Sequence, residues 1–236
     1  MRRLISPKLI LALDVDTLVK AERLVDRLYP KIDTFKVGSY LFTRYGPRVI
    51  EMLRGKRAQV FLDLKYLDIP NTVAKAVSAA VRLKVKMLTL HISGGRQMLS
   101  AAVVSAKKEA GSGNAARPLL IGITVLTSQK AGKEKVLSLA KTGIDCGLDG
   151  VVCSANEAGF LRRRIKKDFV IVTPGIRSSG SAMDDQKRVA TVSQAVRAGS
   201  NFLVIGRPIL KAKDPLKTAE ELIGEAYGAG DQGFNY

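Results

Sequence analysis

Short apolar runs alternate with stretches of helical period along the whole chain. Eight runs recur: Lys8–Leu13, Thr34–Val37, Gln59–Leu64, Met87–Ile92, Leu119–Val125, Gly150–Ser154, Val170–Pro174 and Phe202–Gly206. Most are β-branched, aliphatic or aromatic with little polar alternation, which predicts strands buried on both faces, as in a parallel sheet. Between them apolar residues return every three or four positions, as at Leu18, Ala21, Leu24, Val25 and Leu28, or at Val73, Ala76, Val77, Ala80 and Val81. Strand then helix, eight times over, predicts a single α/β domain over residues 1–236: a (β/α)8 TIM barrel, with a doubly wound open sheet as the alternative.

A barrel carries its chemistry at the C-terminal ends of its strands, and polar residues gather there. The first run leads into Asp14 and the second carries Lys36. The third ends in Asp63-Leu-Lys65, with Asp68 three residues on and Pro70-Asn71-Thr72 opening a helix. Residues two apart on a strand share a face, so Asp63 and Lys65 are expected side by side. Surface ion pairs are common and worth at most about 1 kcal/mol. Charges where an apolar strand stops are a stronger sign, and a lysine held between the carboxylates of Asp63 and Asp68 is a placed proton donor.

The last two strands suggest a phosphate site. Gly175 and Gly206 permit close backbone approach, Arg177 and Arg207 offer forked donors, and the polar segment Ser178–Gln186 suits a lid. His91, the only histidine, is read as a hydrogen-bonded structural residue, since no second histidine or nearby cysteine completes a transition-metal site. Asp184-Asp185 is read as a solvated part of the lid.

Composition adds bounds. A hydrophobic fraction of 46% over 236 residues supports a substantial core. Cys146 and Cys153 lie in apolar segments and read as core thiols of a reducing compartment. The basic, apolar N-terminus is interrupted by Lys8 and Asp14 and is read as a first strand rather than a signal peptide; no run reaches the length of a membrane span, and a cytoplasmic protein is expected. The net charge of +18 permits nucleic acid or a phosphorylated substrate as partner. Its densest run, Arg162-Arg-Arg-Ile-Lys-Lys167, lacks an aromatic platform and reads as a solvated basic face.

Asp63-Leu-Lys65-Tyr-Leu-Asp68-Ile69-Pro-Asn-Thr72 resembles the signature of the orotidine 5'-phosphate decarboxylase family. Leu11-Ala-Leu-Asp14, Phe35-Lys36-Val-Gly38, His91-Ile-Ser-Gly-Gly95, Val125-Leu-Thr-Ser128, Thr173-Pro-Gly-Ile-Arg177, Gln186 and Ile205-Gly-Arg-Pro208 follow in the matching order. The resemblance implies decarboxylation of orotidine 5'-monophosphate to UMP, without cofactor or metal, in a homodimeric barrel with shared sites. It implies that Asp14 binds the ribose, Lys36 bridges the ribose and the charged array, Asp63 faces the substrate carboxylate and Lys65 donates the proton. Asp68, Ile69 and Thr72 would complete the site at the subunit interface, Asp68 and Thr72 reaching the partner's site. Thr127 would contact the pyrimidine, and Gln186, Gly206, Arg207 and Arg177 the phosphate. Two other readings stand beside it: a sibling barrel that uses its carboxylates to hold Mg²⁺, as 3-keto-L-gulonate 6-phosphate decarboxylase does, and a non-enzymatic nucleic-acid binder. No specific nucleic acid and no membrane partner are expected.

Overall fold

A computed structural model of the chain describes residues 7–113, 115–126, 129, 131–177 and 190–231. Each predicted apolar run contains a strand: β1 (Lys8–Ala12), β2 (Thr34–Gly38), β3 (Gln59–Tyr66), β4 (Met87–His91), β5 (Leu119–Ile123), β6 (Gly150–Val152), β7 (Val170–Thr173) and β8 (Phe202–Ile205). All pair in parallel, and because β1 pairs with both β2 and β8 the sheet closes into a barrel. The open-sheet alternative is thereby excluded. Helices α1 (Leu18–Leu28), α2 (Ser39–Tyr45), α3 (Arg48–Gly55), α4 (Pro70–Arg82), α5 (Gly95–Ser112), α6 (Lys133–Asp145), α7 (Ala155–Arg164), α8 (Val192–Arg197), α9 (Arg207–Leu210) and α10 (Pro215–Asp231) follow the strands.

Two apolar layers hold this arrangement. Ile10, Ala12, Phe61, Met87, Ile121, Val172, Phe202 and Val204 fill the barrel lumen, so it is a packed plug with no channel. The larger layer lies between sheet and helices and takes in the predicted helical stripes: Ala21, Val25 and Leu28 from α1, and Val73, Val77, Ala80 and Val81 from α4. Strand register then sets the neighbours at the upper rim. Ala12 lies beside Lys36, and Gly38 beside Asp63.

The basic run departs from its predicted solvated face at its first residue. Arg162 is only 8% exposed, while Arg163, Arg164, Lys166 and Lys167 are exposed. Its guanidinium donates to the carbonyls of Gly199 and Phe169 and to Oδ1 of Asn201, and lies 4.6 Å from the centre of the Phe169 ring. An arginine on the buried face of the last turn of α7 thus ties down the chain entering β7 and β8, which residue type alone does not reveal. The two cysteines are free; Cys153 is buried, which pushes its thiol well above the ordinary value, and Cys146 is half-buried.

Between β6 and β7 the backbones come close. A Cβ at Gly150 would stand 2.3 Å from the Val170 carbonyl oxygen and 2.7 Å from the Val170 Cβ, and neither strand has room to yield. Gly150→Ala is expected to destabilise the protein by roughly 2 kcal/mol or more. Urea denaturation followed by circular dichroism checks this, and a midpoint equal to that of the parent would contradict the packing described.

Candidate active site

Above the plug, where the strands end, a pocket of about 240 Å³ opens, floored by Ala12, Phe61, Val172 and Val204 of the lumen layer. Asp14, Lys36, Asp63, Lys65, Arg177, Gly206 and Arg207 all line it. Seven residues from five segments of the chain, all named from sequence, therefore meet in one cavity.

A chain of alternating charge crosses the pocket. Lys36 Nζ lies 3.3 Å from Asp14 Oδ1 and 3.7 Å from Asp63 Oδ2, and Lys65 Nζ lies 2.8 Å from the same Asp63 oxygen. Asp14 is open to solvent, with its side chain 62% exposed, whereas those of Lys36 and Asp63 are each 12% exposed. The buried end of the array is the costly one: a carboxylate short of water needs partners on each oxygen. Thr89, fully buried on β4, supplies one by donating its hydroxyl to Asp63 Oδ1 at 3.0 Å.

The same Thr89 hydroxyl accepts the Lys65 backbone N–H at 2.9 Å. Here the local geometry differs from the simple alternation expected of a strand. Leu62 pairs with Leu88, but the next pair along is Tyr66 with Leu90, so β3 carries two extra residues between them. Lys65 takes up the slack with a left-handed backbone, φ 52°, uncommon for a residue with a Cβ. The bulge re-aims its side chain, and Thr89 pins the bulge. Thr89 was not singled out from sequence, although a threonine inside the otherwise apolar Met87-Leu-Thr-Leu90 was a visible signal.

Within one chain, the lysine that faces two carboxylates is Lys36, while Lys65 pairs with Asp63 alone. Asp68 stands exposed on the loop after β3, where its Oδ1 accepts the Ile69 N–H at 2.6 Å. Ile69 and Thr72 are exposed as well, and none of the three lines the pocket. Thr127, Gln186 and the lid segment Ser178–Gln186 lie outside the described residues. After β7, Gly175 holds φ 77°, a conformation that suits glycine, and it carries the chain from Pro174 to Arg177 at the pocket wall.

A family model described as "Orotidine 5'-phosphate decarboxylase / HUMPS family" matches residues 7–222. The chain belongs to this family. It is 45% identical over 237 residues to an orotidine 5'-phosphate decarboxylase of Syntrophotalea carbinolica, covering 96% of this chain and 97% of that relative. An orotidine 5'-phosphate decarboxylase of Moorella thermoacetica is 44% identical over 230 residues, with 92% and 91% covered. Among solved structures, the orotidine 5'-phosphate decarboxylase of Lactobacillus acidophilus superposes with a TM-score of 0.82 at 35% identity, over 93% of this chain and 99% of that one. Among the described residues no helix is long and apolar enough to cross a membrane.

His91 ends β4 beside the array. Burial first, and the Lys65 charge second, lower its pKa from the ordinary 6.5, against a smaller opposing pull from Asp63. A histidine whose folded pKa lies below its unfolded one releases its proton on folding. Its full contribution is present above about pH 6.5 and is lost as pH falls toward the folded value. The unfolding free energy of the parent is therefore expected to decline more steeply below pH 6.5 than that of His91→Gln. Parallel slopes from pH 7 to pH 5 would overturn that assignment.

Proposed function

We propose that this chain decarboxylates orotidine 5'-monophosphate to UMP and CO₂ in pyrimidine biosynthesis, with Lys65 as the catalytic acid. The observation that carries this reading is the linked array Asp14–Lys36–Asp63–Lys65 across the pocket, whose last member is an ammonium 2.8 Å from a buried carboxylate. The names of the full-length relatives supply the substrate.

Loss of CO₂ from C6 of the pyrimidine leaves an electron pair in the plane of the ring, where the ring carbonyls cannot delocalise it. An ammonium held beside C6 stabilises that pair as it forms and then transfers its proton to it. Lys65 meets the requirement because its backbone is held in an unusual conformation by Thr89 and its head group by Asp63. Asp63 faces the substrate carboxylate, and departure of CO₂ removes a like-charge contact. Asp14 and Lys36 take the ribose hydroxyls, and Arg177, Gly206 and Arg207 take the phosphate, with Gln186 joining them and Thr127 reaching the pyrimidine. Binding energy from the phosphate then serves the chemistry at the far end of the pocket.

The pairing of the carboxylates argues against the metal-dependent sibling reaction. A divalent cation on Asp63 Oδ2 would have to displace both Lys65 and Lys36, and one on Oδ1 the Thr89 hydroxyl. Asp68, Ile69 and Thr72 serve a different protomer on this reading. They stand outside their own pocket, and Ile69 (66%) and its neighbour Leu67 (55%) are exposed apolar side chains, as residues covered in a homodimer would be. Asp68 and Thr72 then reach into the partner's pocket.

UMP formation in excess EDTA tests the chemistry. The parent is expected to turn over without added metal, and Lys65→Ala to lose at least about a thousandfold in kcat/KM. Turnover that requires Mg²⁺ would sink the proposal. Mixing inactive Lys65→Ala and Asp68→Ala chains tests the shared site. Each heterodimer is expected to regain one intact pocket, so activity reappears on mixing; two self-contained pockets per dimer would restore none.

A further inference from the structure

A cluster of basic residues lies at the opposite end of the barrel from the candidate active site. Where α3 and α4 end and β3, β4 and β5 begin, a cleft of about 350 Å³ is lined by Arg54, Arg57, Lys84, Lys86 and Arg117, with no carboxylate in its wall. Among the described residues the side chains of Arg54, Arg57, Lys84 and Lys86 make no ion pair or hydrogen bond. Arg117 is steered by Asp149 at 2.9 Å, and its Nε is buried without a protein acceptor. Asp149 is itself anchored, accepting the Leu120 N–H at 2.8 Å.

The backbone carrying these charges is unusual in the same way as the backbone at Lys65. Arg57 and Lys84 hold φ 62° and 56° directly after the ends of α3 and α4, a position where glycine is the low-strain choice. Lys65 is the other described non-glycine residue with positive φ. The turns are firmly held: the N–H of Arg57 meets the Arg54 carbonyl at 2.9 Å, that of Lys84 meets Val81 at 2.8 Å, and that of Lys86 meets Val60 at 2.8 Å. Cations are thus fixed around the cleft at positions where a neutral glycine would fit the backbone better.

Charge arithmetic narrows the ligand. Asp149 offsets one of the five cations, and the C-terminal ends of α3 and α4, worth roughly half a negative charge each, offset about one more. A residual positive charge of about three remains in a cleft whose walls focus the field. A single carboxylate leaves most of it unmet, whereas linked phosphates spread several charges over forked guanidinium donors. We propose that this cleft binds an oligophosphate: a pyrophosphate or triphosphate group, free or carried on a nucleotide.

Calorimetric titration of the full chain with inorganic tripolyphosphate tests the site, with excess UMP added to occupy the upper pocket. The parent is expected to bind about one equivalent. Arg57→Gly/Lys84→Gly removes two charges while relieving both left-handed residues, so affinity is expected to fall about tenfold or more while the melting temperature holds or rises. Lys20→Gln/Lys213→Gln removes two exposed lysines from loops and helices at the other end and is expected to leave affinity within about twofold. ATP in place of tripolyphosphate separates the sources: equal affinity means that the phosphate chain alone is read, and tighter binding means that the nucleoside is read too. No tripolyphosphate binding by the parent, or equal weakening in the two double variants, would overturn the proposal. Because the cleft variants are compared with a charge-matched control, the result stands whether or not UMP fills the upper pocket.

Discussion

The Asp63 carboxylate is the point on which the pocket depends. It lies at a strand end above a lumen packed with apolar side chains, where an ion without partners is costly. One oxygen receives the Thr89 hydroxyl, and the other faces two ammonium groups. Those contacts orient Lys36 and Lys65, so a single buried charge organises the floor. Replacing the set by apolar residues would remove the desolvation cost and with it the preorganised field. The array is therefore better understood as a site held against its own cost than as a contribution to stability.

The barrel makes the arrangement possible by bringing strand ends from distant parts of the chain onto one rim. Its parallel register fixes Lys36 beside Ala12 and Asp63 beside Gly38. Regularity alone does not suffice, because a straight β3 would not hold Lys65 where it is. The two extra residues between Leu62 and Tyr66 and the left-handed Lys65 bend the strand end, and Thr89 on the neighbouring strand secures the bend. A left-handed residue thus stands in the charged array itself, and such outliers cluster at sites whose geometry is set before the ligand arrives.

Both ends of the barrel carry fixed cations, but in different company. At the upper rim each lysine of the array faces a carboxylate, and the field is local and oriented. At the lower end four of five cations have no such partner, and the field reaches outward. The same net charge of +18 therefore serves two separate environments, and its magnitude alone distinguishes neither.

The eight strands and the helical stripes were legible in the sequence because each is a local matter: burial on two faces or on one stripe dictates a period. The residues of the charged array were legible for a similar reason, since acids and bases just after apolar runs stand out. The pairing among them was not. That Lys36 and not Lys65 bridges two carboxylates within one chain, that Asp68 turns outward, that Thr89 holds the bulge and that Arg162 is buried all depend on distances between segments far apart along the chain. The sequence determined which elements form and which side chains gather at the upper rim of the barrel; the tertiary structure decided which charges meet there and which cations gather at the lower end, because strand register and one left-handed residue set separations that no local pattern encodes.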